Sequence, residues 1–206
     1  VPNAQSFKLR MTAIGISLSV SVVLMIVKFY TYRLTRSSAV LSDALESIIN
    51  VVAAAFAMVS IWMASQPPDS DHPYGHGKIE YFSAGFEGAL IVLAAIGIFK
   101  TGISHLLMPR PLDNLQAGLV ILFMATMTNL VLGIGLVRVG NKEQSLTLIA
   151  DGKHVITDVY TSSGVVAGLL LVKWTGWLWL DGAVACLVGL NILLTGTRLV
   201  RQSFSA

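Results

Sequence analysis

Long apolar runs separated by short polar joints organise this chain. They cover about residues 12–32, 38–64, 81–107, 116–137, 146–173 and 180–199. A helix needs roughly 20 mostly apolar residues to cross the hydrocarbon core of a bilayer, and each run meets that length. In lipid every backbone N–H and C=O must find its partner within the protein, which favours helices. A membrane β-strand would alternate apolar and polar residues over about ten positions, and these runs do not. The pattern predicts an all-α polytopic membrane protein, a bundle of six transmembrane helices. Pro67 and Pro68 end the second run, because proline lacks the N–H and clashes with the preceding turn. The longest polar connection is Gln66–Lys78, QPPDSDHPYGHGK.

Two runs break the apolar pattern in the same way. Ser42–Asn50 reads SDALESIIN, and Ala150–Asp158 reads ADGKHVITD. Shifting the chain by 108 residues places Asp43 on Asp151, Glu46 on His154 and Asn50 on Asp158. Offsets of 0, 3 and 7 fall within about 60° on a helix, so each trio forms a polar stripe. If the two stripes face each other, Glu46, Asn50, His154 and Asp158 converge on one centre. Three oxygens and one imidazole nitrogen make a tetrahedral set for a divalent metal. Polar residues in membrane helices often serve only to hydrogen-bond neighbouring helices. Against that reading, each isolated charge costs about 2.5–3.5 kcal/mol at a helix centre. A recurring set of acids with a histidine therefore points to an ion site. Asp43 and Asp151 are expected as partners behind the ligands, as packing acids or as part of an access path.

Composition narrows the class further. The 206 residues are 54% hydrophobic and 12% charged, about half the charge of a soluble domain. A net charge of +3, spread thinly, does not support nucleic-acid binding. The single cysteine, Cys186, excludes an internal disulfide and a cysteine-rich metal site. Lys8, Arg10, Lys78, Arg138, Lys142, Arg198 and Arg201 lie on one side of the predicted topology. Arg33, Arg36, Arg110 and Lys173 lie on the other. The positive-inside rule then places both termini in the cytoplasm. Trp174, Trp177 and Trp179 fit the headgroup level at the turn between the last two helices. Lys28, Lys100 and Lys173 are expected to snorkel to the interface. His105 is expected at the interface, and Asp181 as an acid complementing the dipole of the sixth helix.

The motifs SDALESIIN, DHPYGHGK and ADGKHVITD, in this order, resemble those of the membrane domain of the cation diffusion facilitators. These are proton-coupled exporters of divalent metals. The resemblance covers nearly the whole chain. It implies a mid-membrane transport site made by Glu46 and Asn50 of the second helix with His154 and Asp158 of the fifth. The His–Asp pair matches the family pattern. Glu46 and Asn50 depart from the Asp–Asp or His–Asp pair usual in its zinc exporters. The resemblance further implies a second metal site on the cytoplasmic loop, at Asp69, His72 and His76, and a homodimer. Family members normally continue into a cytoplasmic metal-binding domain. The expectation is therefore that residues 1–206 are the transmembrane domain alone.

The function expected is export of a divalent cation from the cytoplasm in exchange for protons, without a prosthetic group. Zn²⁺ leads, with Fe²⁺, Mn²⁺, Co²⁺ or Cd²⁺ as alternatives. Metal binding needs deprotonated ligands, so loading releases protons. The expected location is the bacterial inner membrane, and Glu87 of the third helix is expected on the path to the site. Two other classes compete: an intramembrane metalloenzyme and a passive metal channel. The chain has no His-Glu-x-x-His motif for the first. A channel would line its pore with rings of carbonyls or like charges.

Overall fold

The computed structural model describes residues 4–64 and 77–204. Their helices are α1 (Ala4–Thr35), α2 (Ser38–Ala64), α3 (Gly77–Leu107), α4 (Leu115–Lys142), α5 (Leu146–Thr175) and α6 (Trp179–Phe204). No strand occurs among the described residues. Five of these helices are long and apolar enough to cross a membrane, and α3 adds the apolar stretch Val92–Leu107. The protein is an integral membrane protein built as an all-helical bundle. Several helices outrun their apolar cores. α1 starts at Ala4 and α6 runs on to Phe204, because helical hydrogen bonding continues into the headgroup region, where polar side chains are solvated.

α2 lies at the centre and touches α1, α3, α5 and α6. α3 pairs most extensively with α6, and α4 with α5, while α1 packs on α2 and α4. Lipid tails are as apolar as leucine, so close backbone approach supplies much of the association. At Gly182 on α6, a Cβ would sit 2.5 Å from the Leu106 amide nitrogen and 2.6 Å from the Gly102 carbonyl oxygen. Only glycine lets α6 lie this close to α3. Gly152 does the same for α5 against α4, where a Cβ would meet Leu136 Cβ and Val137 N at 2.9 Å.

Two apolar clusters fill the interior. One joins Val40, Ile98, Leu122, Val165 and Leu169, and the other joins Ile14, Ile61, Leu136, Leu148 and Val155. Between them runs a polar layer. On α4, Asn129 falls between Leu122 and Leu136, and on α5, Asp158 falls between Val155 and Val165. Many hydroxyls in the bundle are satisfied by their own helix. Thr31, Thr35, Ser42, Ser47 and Thr126 each donate to the carbonyl four residues earlier. They need no partner across the bundle, which explains why they carry no chemistry.

The α1–α2 corner is closed from a distance. Asp181, in the first turn of α6, accepts from the backbone N–H of Ser38 at 2.7 Å and of Ala39 at 3.2 Å. It also accepts from the hydroxyls of Ser37 and Ser38, and Nδ1 of His105 lies 3.2 Å from it. The first N–H groups of a helix have no intrahelical acceptor, and here the carboxylate of another helix provides one. Asp181 stands in the first turn of α6 as expected and in addition caps α2. One expectation is corrected: His105 is a buried partner of Asp181 rather than an interfacial ring.

Candidate metal site between α2 and α5

The polar stripes of α2 and α5 turn inward, and a third stripe from α1 meets them. On α1, Ser17, Ser21, Lys28, Thr31 and Thr35 are all buried. Their spacings of four, seven, three and four residues keep them on one face. Lys28 is fully buried, at 0% exposure. Its ammonium lies 3.0 Å from Asp43 Oδ1, 3.3 Å from Asp158 Oδ2 and 3.1 Å from Ser162 Oγ. A lysine ammonium has three N–H donors, and each finds an acceptor. The expectation that Lys28 snorkels is therefore corrected, whereas Lys100 and Lys173 are exposed. The physical reason is a matter of magnitude. Burying one charge costs about 2.5–3.5 kcal/mol on insertion scales. A pair at 3.3 Å attracts by on the order of 5 kcal/mol at an effective dielectric of 20. Two carboxylates waiting inside the bundle outweigh the pull of the interface.

The carboxylates form a tight group. One oxygen each from Asp43, Glu46 and Asp158 lies within 4.8 Å of the others. Ser162 Oγ donates to Asp43 Oδ1, and Asn129 Nδ2 donates to Asp158 Oδ2. Oδ2 of Asp158 thus carries both Lys28 and Asn129, and Oδ1 is left open. The open atoms matter most. Asp43 Oδ2, Glu46 Oε2, Asn50 Oδ1, His154 Nε2 and Asp158 Oδ1 are all buried without a hydrogen-bond partner. A buried unsatisfied polar atom costs about 1–3 kcal/mol, so these five on α2 and α5 form a costly set. Oxygen and ring-nitrogen lone pairs are what a divalent metal binds.

The sequence-predicted residues divide as follows. Glu46 and Asp158 belong to the carboxylate group, which also takes in Asp43, a residue expected behind the ligands, as a packing acid or on an access path. Asn50 and His154 present buried unpartnered atoms, each one helical turn from Glu46 and Asp158 respectively, with His154 outside the 4.8 Å group. Asp151 is buried and accepts from Ser17 Oγ at 2.7 Å, which ties α5 to α1 one helical turn before His154. Asp69, His72 and His76 lie outside the described residues. Glu87 falls on α3, where its side chain also lies outside them. Lys28 and Asn129 were missed at the level of sequence. The signal was present: Lys28 shares the helical face of Ser17 and Ser21, and Asn129 interrupts an apolar run one turn after Thr126.

Buried acids, an amide and an imidazole thus stand inside an apolar membrane bundle. The match is to the cation efflux transmembrane domain, over residues 14–206, and the chain belongs to this family, that of the cation diffusion facilitators. It is 44% identical over 191 residues to a Synechocystis protein named "Uncharacterized transporter sll1263", a match covering 93% of this chain and 62% of that protein. It is 30% identical over 176 residues to the cation-efflux pump FieF of Klebsiella pneumoniae, covering 85% of this chain and 58% of the pump. With the metal cation efflux system protein CzcD of Cupriavidus metallidurans, identity is 29% over 174 residues, covering 84% and 54% respectively. The chain thus spans less than two thirds of the length of these relatives.

Proposed function

We propose that this chain is the transport domain of a secondary active exporter. It carries a divalent metal cation out of the cytoplasm in exchange for protons. The observation that carries the proposal is the set of buried, unpartnered acceptors on α2 and α5: Glu46 Oε2, Asn50 Oδ1, His154 Nε2 and Asp158 Oδ1. Family membership supports cation export as the process, and the names of FieF and CzcD agree with it. Glu46, Asn50, His154 and Asp158 are the proposed ligands, with Asp43 beside them. Zn²⁺ is the first candidate, since it accepts nitrogen and oxygen donors in tetrahedral geometry. An oxygen-rich set also suits Fe²⁺ and Mn²⁺. Ligands that bind metal must shed protons, and this couples loading to proton release. The proposal extends to a homodimer in a bacterial inner membrane with cytoplasmic termini, and to residues 1–206 as the transmembrane part alone. A regulatory metal on the loop residues Asp69, His72 and His76 completes it.

The test uses vesicles holding a metal-sensitive dye and a pH dye. Addition of Zn²⁺ is expected to produce metal uptake with opposed proton flux, and Asp158→Ala to abolish both. Metal flux indifferent to the proton gradient would point to a channel and overturn the exchange. Fe²⁺, Mn²⁺, Co²⁺ and Cd²⁺, tested in parallel, rank the substrates.

A further inference from the structure

Lys28 is a cation already resident among the proposed ligands. Its ammonium contacts Asp43, Asp158 and Ser162, and all three of its N–H groups are used. With Asp43, Glu46 and Asp158 ionised, three negative charges face one positive charge, and a net charge of two negatives is left over. That equals the charge of one divalent ion. Asp158 is shared, because one oxygen holds Lys28 and Asn129 while the other has no partner. Asp43 and Ser162 hold each other and Lys28 together, with no need of Asp158.

We infer that Lys28 is a displaceable counter-ion of the transport site, a specificity-determining residue that holds Asp158 until a divalent cation takes it. The inference rests on the function proposed above. The metal displaces the ammonium from Asp158 only, and Lys28 stays anchored on Asp43 and Ser162. Displacement weakens binding of every cation. A divalent ion recovers that cost from the two remaining negative charges, and a monovalent ion recovers half as much attraction. Lys28 thereby discriminates against Na⁺ and K⁺ at a site otherwise open to any cation. On release, the ammonium returns to Asp158 and disfavours recapture. Lys28 thus speeds turnover at the expense of affinity.

The test measures Co²⁺ binding to the full 206-residue chain in detergent, by visible absorption, with Zn²⁺ as competitor. Lys28→Met removes the charge. The double variant Lys28→Met/Asp43→Asn removes it together with one carboxylate, and the net charge of the cluster stays at two negatives. Lys28→Met is expected to bind Co²⁺ about tenfold tighter or more, because a like charge facing the metal is gone. The double variant is expected to bind tighter than wild type by less, because Asp158 no longer shares an oxygen with an ammonium. In vesicles, Lys28→Met is expected to lower KM and kcat together, a split that loosened packing does not produce. Unchanged or weaker Co²⁺ binding in both variants, with binding still abolished by Asp158→Ala, overturns the inference and leaves the transport site standing. Loss of helical circular dichroism in both variants assigns Lys28 to folding alone and also overturns it. Wild-type binding indifferent to Asp158→Ala overturns the transport-site reading itself, and the inference with it.

Discussion

Asp181 of α6 holds the first turn of α2, with its Oδ2 accepting from the Ser38 backbone N–H at 2.7 Å. The contact crosses 143 residues of chain and sets where α2 begins. Five residues beyond Ser38 comes Asp43, and a turn later Glu46, so the cap fixes the height at which these two acids stand. Asp181→Ala leaves five hydrogen-bonding groups, two of them backbone N–H groups at the start of α2, without their buried acceptor. A loss of about 3 kcal/mol or more is expected, on the scale of breaking a buried charged partnership. Thermal melting by circular dichroism in detergent checks it. Wild-type stability would remove Asp181 from its positioning role.

Asn129 orients Asp158. Its amide donates to Oδ2 and leaves Oδ1 open. Removing a partner that orients a metal ligand typically lowers affinity about 10–100-fold. Asn129→Ala is expected to weaken Co²⁺ binding by that range, with helix content unchanged. Titration of the metal against the purified variant reads this directly.

Asn50, one turn beyond Glu46 on α2, presents a buried and unpartnered neutral oxygen. Asn50→Asp adds a negative charge beside the cation, and is expected to tighten metal binding and change the number of protons released. Calorimetry in two buffers of different ionisation enthalpy measures both quantities. Equal affinity and equal proton release in variant and parent would exclude Asn50 from the site.

Metal affinity is expected to rise with pH. Carboxylates and imidazole bind metal only when deprotonated, so each proton released on loading contributes a slope of about tenfold per pH unit. The sign is fixed by that release: protons compete with the metal at low pH and cease to compete at high pH. Co²⁺ titrations across a pH series give the slope, and a flat profile would separate metal binding from proton exchange.

Gly182 sets the distance between α3 and α6. A Cβ there meets backbone atoms at 2.5 and 2.6 Å, and backbone cannot swing aside as a side chain can. Gly182→Val is expected to cost about 1–3 kcal/mol or more through overpacking. Because His105 and Asp181 sit beside this contact, the same change is expected to loosen the cap on α2. Melting temperature and protease sensitivity report the first effect. Weakened Co²⁺ binding reports the second.

Much of this molecule is legible in its one-dimensional pattern. Apolar runs long enough to span, interrupted by prolines and polar joints, dictate helices, since lipid leaves the backbone no other partner. An offset of four residues puts Glu46 and Asn50 on one face of α2, and His154 and Asp158 on one face of α5. That much is local geometry. What local geometry does not contain is which face meets which. Lys28 lies seven residues from the end of α1, about 10 Å at 1.5 Å per residue. Snorkelling and burial are both within reach of so long a side chain. Only the docking of α1 against α2 and α5, which offers two carboxylates and a hydroxyl, decides for burial. Asp181 is a helix-start acid by its position in the chain, and becomes the cap of a different helix only because Gly182 brings α6 against α3 beside the α1–α2 corner. Periodicity is a property of one helix and is written in its residues. The partner of a buried charge is a property of two or more helices, and is settled when they pack.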